Sequence, residues 1–306
     1  MVGLVRRLMQ TSPRRKYLVI IEVLLLALLG GSIWLYSHFD PLFGKDEWTV
    51  TQYGPRDTNS SFYTIYNPKK GLIVVDGGWA EDAAYVARTI KRLGGKVDAW
   101  LITHPHQDHI GAFNALWTHR RGIKIEKVYT VEMASPEDCE AVAAWDNTEA
   151  YREFLTLDIP DLTYVHTGDH LQLCSLSFDI LSAFDEEVRT LSRDYINDGS
   201  MMFKVIGPQH SFLFCADVGK SMSRSLYRRY KGLLNSDYLQ MGHHGNGGLK
   251  KKFYTAVSPS IAFFDAPDWL MYDETGSYDT PAKVELMESL GAQILSFNSA
   301  PNSVKI

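Results

Sequence analysis

Between Thr103 and Ala112 the chain reads Thr-His-Pro-His-Gln-Asp-His-Ile-Gly-Ala, with three imidazoles and a carboxylate in one short stretch. An apolar, strand-like run (residues 99–102) precedes it and a helix-like run (residues 113–116) follows it. A tight strand-to-helix turn aims such side chains at one centre. Imidazole nitrogens together with a carboxylate suit zinc or a similar transition metal. A polar surface loop that happens to hold histidines is the plainer reading, and the density of ligand types in one turn argues against it.

The elements that would position this loop follow from periodicity and turn chemistry. Residues 61–66 and 72–75 read as strands, the second ending in Asp76-Gly77-Gly78. Residues 80–93 have helical spacing and stop at Gly94-Gly95. Residues 124–131 read as a strand. Ser135-Pro136-Glu137-Asp138 is a helix start, with a capping serine, proline at the first position and acids in the first turn, and that helix is expected to run to about residue 157. Strands are expected at 162–165, 170–174, 177–181, 201–206, 211–215, 238–241, 261–264 and 294–297, with a helix over 281–290. Strands in two groups with helices between them predict two sheets sandwiched by helices.

The chain has 306 residues, a formal charge of −5 and 45% hydrophobic residues, which suits one large globular domain plus an extra segment. The acidic balance gives a nucleic-acid partner no support. Arg228-Arg229 and Lys250-Lys251-Lys252 read as solvated helix faces, with the lysines as a local phosphate contact at most. Cys139, Cys174 and Cys215 have no zinc-knuckle or CxxC spacing, and no disulfide framework is expected. Residues 17–36 are almost wholly apolar, with Glu22 as their single charge, and Arg6, Arg7, Arg14, Arg15 and Lys16 precede them. About 20 such residues cross a bilayer, and flanking positive charge stays cytoplasmic. The expected organisation is a basic cytoplasmic tail (1–16), a transmembrane anchor (17–36), a linker (37–47) and an extracytoplasmic domain (48–306). Secretion after signal cleavage is the alternative.

Three more polar turns end apolar strands: Asp76-Gly77-Gly78, Cys215-Ala216-Asp217 and Gly242-His243-His244-Gly245. With the 104–109 loop, in this order, they resemble the metallo-β-lactamase fold superfamily from about Trp48 to the C-terminus. Within it, Asn197-Asp198-Gly199-Ser200, Ala216-Asp217 and His243-His244-Gly245 resemble the hydrolase domain of ComEC-type competence proteins, where the first of these patterns is a strand. Trp145-Asp146-Asn147 and Ser258-Pro259-Ser260-Ile261 resemble the phosphorylcholine esterase branch.

The resemblance implies an αββα sandwich holding two metal ions, zinc or alternatively manganese. His104 and His106 would bind the first ion, Asp108 and His109 the second, and Asp217 both. Either His243 or His244 would complete the ligand set of the second ion, and Asp76 would orient ligands from behind. Asp108 and Asp217 are the residues expected to carry catalysis. Many family members have a further histidine on the first metal. The candidates here, His166 and His170, read as part of a strand-turn-strand element, so water or the 197–200 segment would complete that site. His38, His119 and His210 have no ligand-like context.

A metal-bridging hydroxide would attack the substrate. No G-x-S-x-G nucleophile elbow is present. The resemblance favours a phosphodiesterase acting on a small-molecule or cell-envelope phosphoester. Hydrolysis of an amide, lactone or thioester on the same site is the alternative, and a non-catalytic surface module is the reading from a different class.

Overall fold

The computed structural model describes residues 47–306, apart from 55, 56, 298 and 299. The expected anchor (17–36) and His38 lie outside the described residues. No helix among the described residues is long and apolar enough to cross a membrane.

Trp48–Ile306 forms one compact unit built on two seven-stranded sheets. The first sheet takes its strands in the spatial order Asn302–Lys305, Thr49–Gln52, Phe62–Asn67, Gly71–Asp76, Ala99–Leu101, Val128–Val131 and Leu162–Val165. The second runs Gln293–Ser296, Ile261–Phe264, Tyr238–Gln240, Ser211–Phe214, Met202–Ile206, Leu176–Ser182 and His170–Leu173. A large apolar core that includes Trp48, Tyr63, Val75, Phe178, Phe203, Phe212, Phe214 and Phe263 joins strands of the two sheets. Helices Ala83–Arg92, Gln107–Thr118 and Glu149–Leu155 cover the outer face of the first sheet. Helices Ser223–Tyr230, Lys251–Val257 and Thr280–Ser289 cover the second. Central strands are therefore buried on both faces, which is why they read as unbroken apolar runs such as Leu72-Ile73-Val74-Val75.

In each sheet the strands nearest the site run parallel: Gly71–Asp76, Ala99–Leu101 and Val128–Val131 in one, Ser211–Phe214, Tyr238–Gln240 and Ile261–Phe264 in the other. The turns at their carboxyl ends carry the ligand-type residues, the usual place for a site in α/β sheets.

Four expectations need correction. The strand over 124–131 is two pieces: Lys124–Ile125 pairs with Lys96–Val97 in a small separate sheet, and only Val128–Val131 joins the first large sheet. The long helix from Ser135 is two helices, Pro136–Val142 and Glu149–Leu155. The Asn147 side chain accepts from the Glu149 amide (2.9 Å), and the Thr148 hydroxyl donates back to Glu140, so local polar groups beat a helix-favouring composition. Residues 197–200 are not a strand: Tyr195–Asp198 is a helical turn, and Asp194 caps it by accepting from the Asn197 amide (3.1 Å). Residues 294–297 do not end the strands. Asn302–Lys305 pairs antiparallel with Thr49–Gln52 at the edge of the first sheet.

Candidate metal centre

The backbone at the site is strained. Asp76, Ala216, His243 and His244 all have positive φ (54°, 46°, 52° and 53°), although none is glycine. Such conformations cost of order 1–3 kcal/mol each and persist where the surrounding structure over-determines them. All four stand at or just after a strand end, where the chain turns and places Asp76, Asp217, His243 and His244 at the sheet edge. Gly111 has a different task. A Cβ there would lie 2.5 Å from the Ala80 amide nitrogen, so glycine lets helix Gln107–Thr118 press against the turn after Asp76.

Asp76 is buried beneath the 104–109 loop. One of its oxygens accepts from the Thr103 amide (2.8 Å), and the other accepts from the Ser61 and Thr103 hydroxyls (3.0 and 2.8 Å). That second oxygen also sits 2.8 Å from His109 Nδ1. The opposite nitrogen of His109 then faces Asp217 Oδ1 (3.3 Å) and His244 Nε2 (3.4 Å). His244 Nε2 lies 3.1 Å from Asp108 and 3.3 Å from Asp217, and its Nδ1 donates to the Asp265 carbonyl (2.9 Å). His104 Nε2 lies 3.9 Å from Asp217 and 3.2 Å from His106 Nδ1. Asn59 Nδ2 donates to Asp108 (2.6 Å).

Two sets of three donors have geometry that could hold an ion: His104, His109 and Asp217; and Asp108, His109 and His244. They share His109, and all five residues are buried. His106 belongs to neither set, although it touches His104. His243 is at the rim, 34% exposed, with its Nε2 4.0 Å from Asp217. The histidine pair thus divides into a buried member, His244, aimed at both carboxylates and a peripheral one, His243. His166 and His170 stand on the surface beside Asp169 and Asp179. His210 is likewise exposed beside Asp237, and His119 is exposed. The three cysteines are free thiols.

Electrostatics follow from packing three carboxylates and three imidazoles out of water. Burial alone would raise the Asp108 carboxyl, but His109 and His244 hold it down at about 2. Asp217 is likewise held well below the usual carboxylate range, chiefly by the same two rings working against burial. Burial lowers His244, and Asp217 with Asp108 carries it up to about 10. Burial also opposes the charge on His109, which Asp217, Asp76 and Asp108 raise well above the ordinary histidine value. His104 goes the other way, pushed well down by burial and by the neighbouring His109. Burial lowers His106, and Asp146 and Asp108 more than restore it. Two histidines therefore carry protons that a divalent cation would replace. Asp217 Oδ1 is buried without a hydrogen-bond donor, an open lone pair in the centre of this cluster. Nitrogen and oxygen donors, an unpartnered carboxylate oxygen and protons standing where positive charge is needed fit divalent metal ions.

Residues 53–246 match the family model of the metallo-β-lactamase superfamily. The chain belongs to this superfamily. A hydroxyacylglutathione hydrolase from Photobacterium profundum is 30% identical over 124 residues, which cover 39% of this chain and 47% of that protein. ComE operon protein 3 from Bacillus subtilis is 26% identical over 181 residues, 59% of this chain and 21% of the relative. The chain thus spans less than half of either relative. Among solved structures, the diiron β-hydroxylase CmlA from Streptomyces venezuelae superposes with a TM-score of 0.57 at 15% identity, covering 86% of this chain and 55% of that one. YhfI from Bacillus subtilis, a metallo-β-lactamase fold protein, gives 0.51 at 11% identity, covering 84% and 99%. Both establish the fold. The donor sets above fit the metal centre expected of a superfamily member.

Sequence reasoning gave no role to Asn59, Asp146 or Asp265, although Asp146 stands in the Trp145-Asp146-Asn147 pattern. Asp265 lies at the end of strand Ile261–Phe264 and accepts from Tyr63 (2.6 Å), Gln52 (2.7 Å) and Gln240 (3.0 Å). Gln240 in turn accepts from the amides of Cys215 and Ala216 (2.9 and 2.8 Å), the residues just before Asp217. The signal available was a buried-type polar residue inside or just after an apolar strand, at Gln52, Gln240 and Asp265.

Proposed function

We propose that this chain is a phosphodiesterase, held on the outer side of a membrane by residues 17–36. In it His104, His106 and Asp217 would hold one divalent ion, and Asp108, His109, His244 and Asp217 the other; zinc is the expected metal, with manganese as the alternative. Bound ions would supply an activated water and neutralise charge developing on the scissile group. The chain's own residues do the rest. Asp76 fixes the His109 ring, and the Asp265 carbonyl fixes His244. His243, Asn59, Asn246, Trp269 and Tyr278 line an open cavity of about 150 Å³ beside the cluster, where a leaving group would sit.

The observation that carries the phosphoester reading is charge placement. Just after Asp217, residues 218–236 carry five cations (Lys220, Arg224, Arg228, Arg229, Lys231) and no acid. After His244, residues 245–264 carry Lys250, Lys251 and Lys252 and again no acid. In a chain with 36 acids and 31 bases, both ligand turns thus lead into acid-free cationic stretches. The Lys250 amide donates to Ser223 (2.9 Å), so the two stretches meet. An anionic substrate is drawn to such a face.

Thioester hydrolysis is the second reading, because two of the curated relatives are hydroxyacylglutathione hydrolases. The full chain, loaded with zinc or manganese, is expected to cleave bis-p-nitrophenyl phosphate or p-nitrophenylphosphorylcholine in preference to a thioester, a lactone or nitrocefin. Turnover of the thioester without turnover of either phosphodiester would replace the first reading by the second. Protease added to intact cells is expected to degrade the catalytic domain; protection would place it on the other side of the membrane.

A further inference from the structure

The loop between helices Pro136–Val142 and Glu149–Leu155 delivers a carboxylate to the metal centre. We infer that Asp146 is a positioning residue that turns the His106 ring, so that Nδ1 rather than Nε2 faces the first metal. This rests on the two-metal reading above.

The argument comes from which nitrogen each imidazole gives to its support. His104 Nδ1 lies 3.1 Å from the Thr103 hydroxyl. His109 Nδ1 lies 2.8 Å from Asp76, and His244 Nδ1 donates to the Asp265 carbonyl at 2.9 Å. All three rings are held by Nδ1 and present Nε2 to the cluster. His106 is reversed: its Nδ1 lies 3.2 Å from His104 Nε2, and its Nε2 faces Asp146 Oδ1 at 3.4 Å. A neutral imidazole carries one N–H. With that hydrogen on Nε2, directed at Asp146, the Nδ1 lone pair points at the centre. A carboxylate behind a ligand imidazole also makes the ring a stronger donor.

Asp146 has no competing task. The Asn147 side chain and the Thr148 hydroxyl secure the loop. The Asp146 side chain is only 4% exposed, and its Oδ2 is buried with no hydrogen-bond partner among the described residues. A buried carboxylate without a structural partner is expensive unless it faces a proton or a positive centre. Neither His166 nor His170 comes near the centre as a further ligand; both stand on the surface. Support behind His106 is therefore what this chain adds to the first site.

The test measures zinc affinity by chelator competition, and the absorption spectrum of the cobalt-loaded protein, for the full chain and for Asp146→Asn and Asp146→Ala. The expected result is two bound ions in the parent. In both variants one ion should be weakened roughly 10- to 100-fold, more in Ala than in Asn, while the other is retained. The cobalt spectrum should lose one site's bands and keep the other's. A purely structural role would dim both sites together and lower the melting temperature of the metal-free protein. Asp179→Asn, which removes the partner of exposed His170, should change nothing. Two ions bound as tightly in Asp146→Ala as in the parent, or both sites lost together with metal-free stability, overturn the inference. A parent that binds fewer than two ions overturns instead the two-metal reading beneath it.

Discussion

The two halves of the metal cluster are supported in different ways. On the first sheet, support is compact. Asp76 ends one strand, the 103–109 turn follows the neighbouring strand, and a single carboxylate reaches Ser61, Thr103 and His109. On the second sheet, support is a chain of neutral amides and one acid across both sheets. Asn302 Nδ2 donates to Gln52, Gln52 and Gln240 donate to Asp265, and Gln240 accepts from the amides before Asp217. The first half is fixed by local charge. The second is fixed by a buried polar network, whose value depends on every member being satisfied.

The largest effect should come from the residue that joins the halves. Asp217 approaches His104, His109 and His244 from the second sheet. Asp217→Asn keeps the shape and removes the charge, and should lower both metal content and turnover by more than about 100-fold. His210→Ala, at an exposed ring beside Asp237, should leave both unchanged. Normal zinc content with normal turnover in Asp217→Asn would refute the assignment. One step down, His244→Ala and His243→Ala separate the pair. The first removes a buried ring with two carboxylate contacts and should empty one metal site; the second removes a rim side chain and should alter substrate handling with both ions retained. Metal analysis of the two variants decides it, and equal metal loss in both would erase the distinction.

The same asymmetry explains what the sequence discloses. The 104–109 loop, Asp76 and the His-His-Gly turn stand at the ends of runs that read as strands, so local pattern places them. The αββα arrangement is legible for the same reason, since strands buried on both faces read as continuous apolar runs. The pairing of the second half's supports is not legible, even where a polar residue in or after a strand marks one of them. Gln52 and Asp265 lie more than two hundred residues apart in sequence and meet only because the two sheets pack face to face. Strand Asn302–Lys305 is polar and alternating, and only its pairing with Thr49–Gln52 reveals it. The break at Asp146 is hidden by Ala- and Glu-rich neighbours, because helix propensity is a weak prior against a side chain that caps the following turn.

The network has its own signature in pH. Asp265 is fully buried, and burial pushes its carboxyl up to about 6 despite the donors from Tyr63, Gln52 and Gln240. A raised carboxyl means that the folded state holds a proton which the unfolded chain has already released. Its contribution is complete below the unfolded value of 3.8 and is lost as pH rises through about 6. Stability of the metal-free protein should therefore fall across that window, by an amount of order 3 kcal/mol from this group. Asp265→Asn should be less stable overall and lack that portion of the slope. Urea midpoints from pH 4 to 7 test this, and identical slopes in the two proteins would rule Asp265 out as their source. Asp76, bonded to three groups on its own sheet, offers the contrast: its removal should be felt at His109 first.

The smallest effect tests whether the second half also differs in what it draws to the site. Lys250 and Lys251 are exposed and follow the His244 turn, whereas the first half is covered by helix Ala83–Arg92, whose exposed Lys91 lies on the far end from the cluster's turns. Lys252 is left in place because its ammonium lies over the Tyr227 ring, 4.5 Å from its centre. Replacing Lys250 and Lys251 by serine removes two exposed charges and no buried contact. For a phosphodiester bearing several negative charges, KM should rise several-fold, kcat should stay the same, and the dependence of kcat/KM on salt should become shallower. Lys91→Ser should alter none of these. A neutral thioester should be indifferent to either change. Equal responses to the two replacements would mean that the cationic stretches are ordinary solvated helix faces, and the difference between the halves would then be confined to how each one holds its ligands.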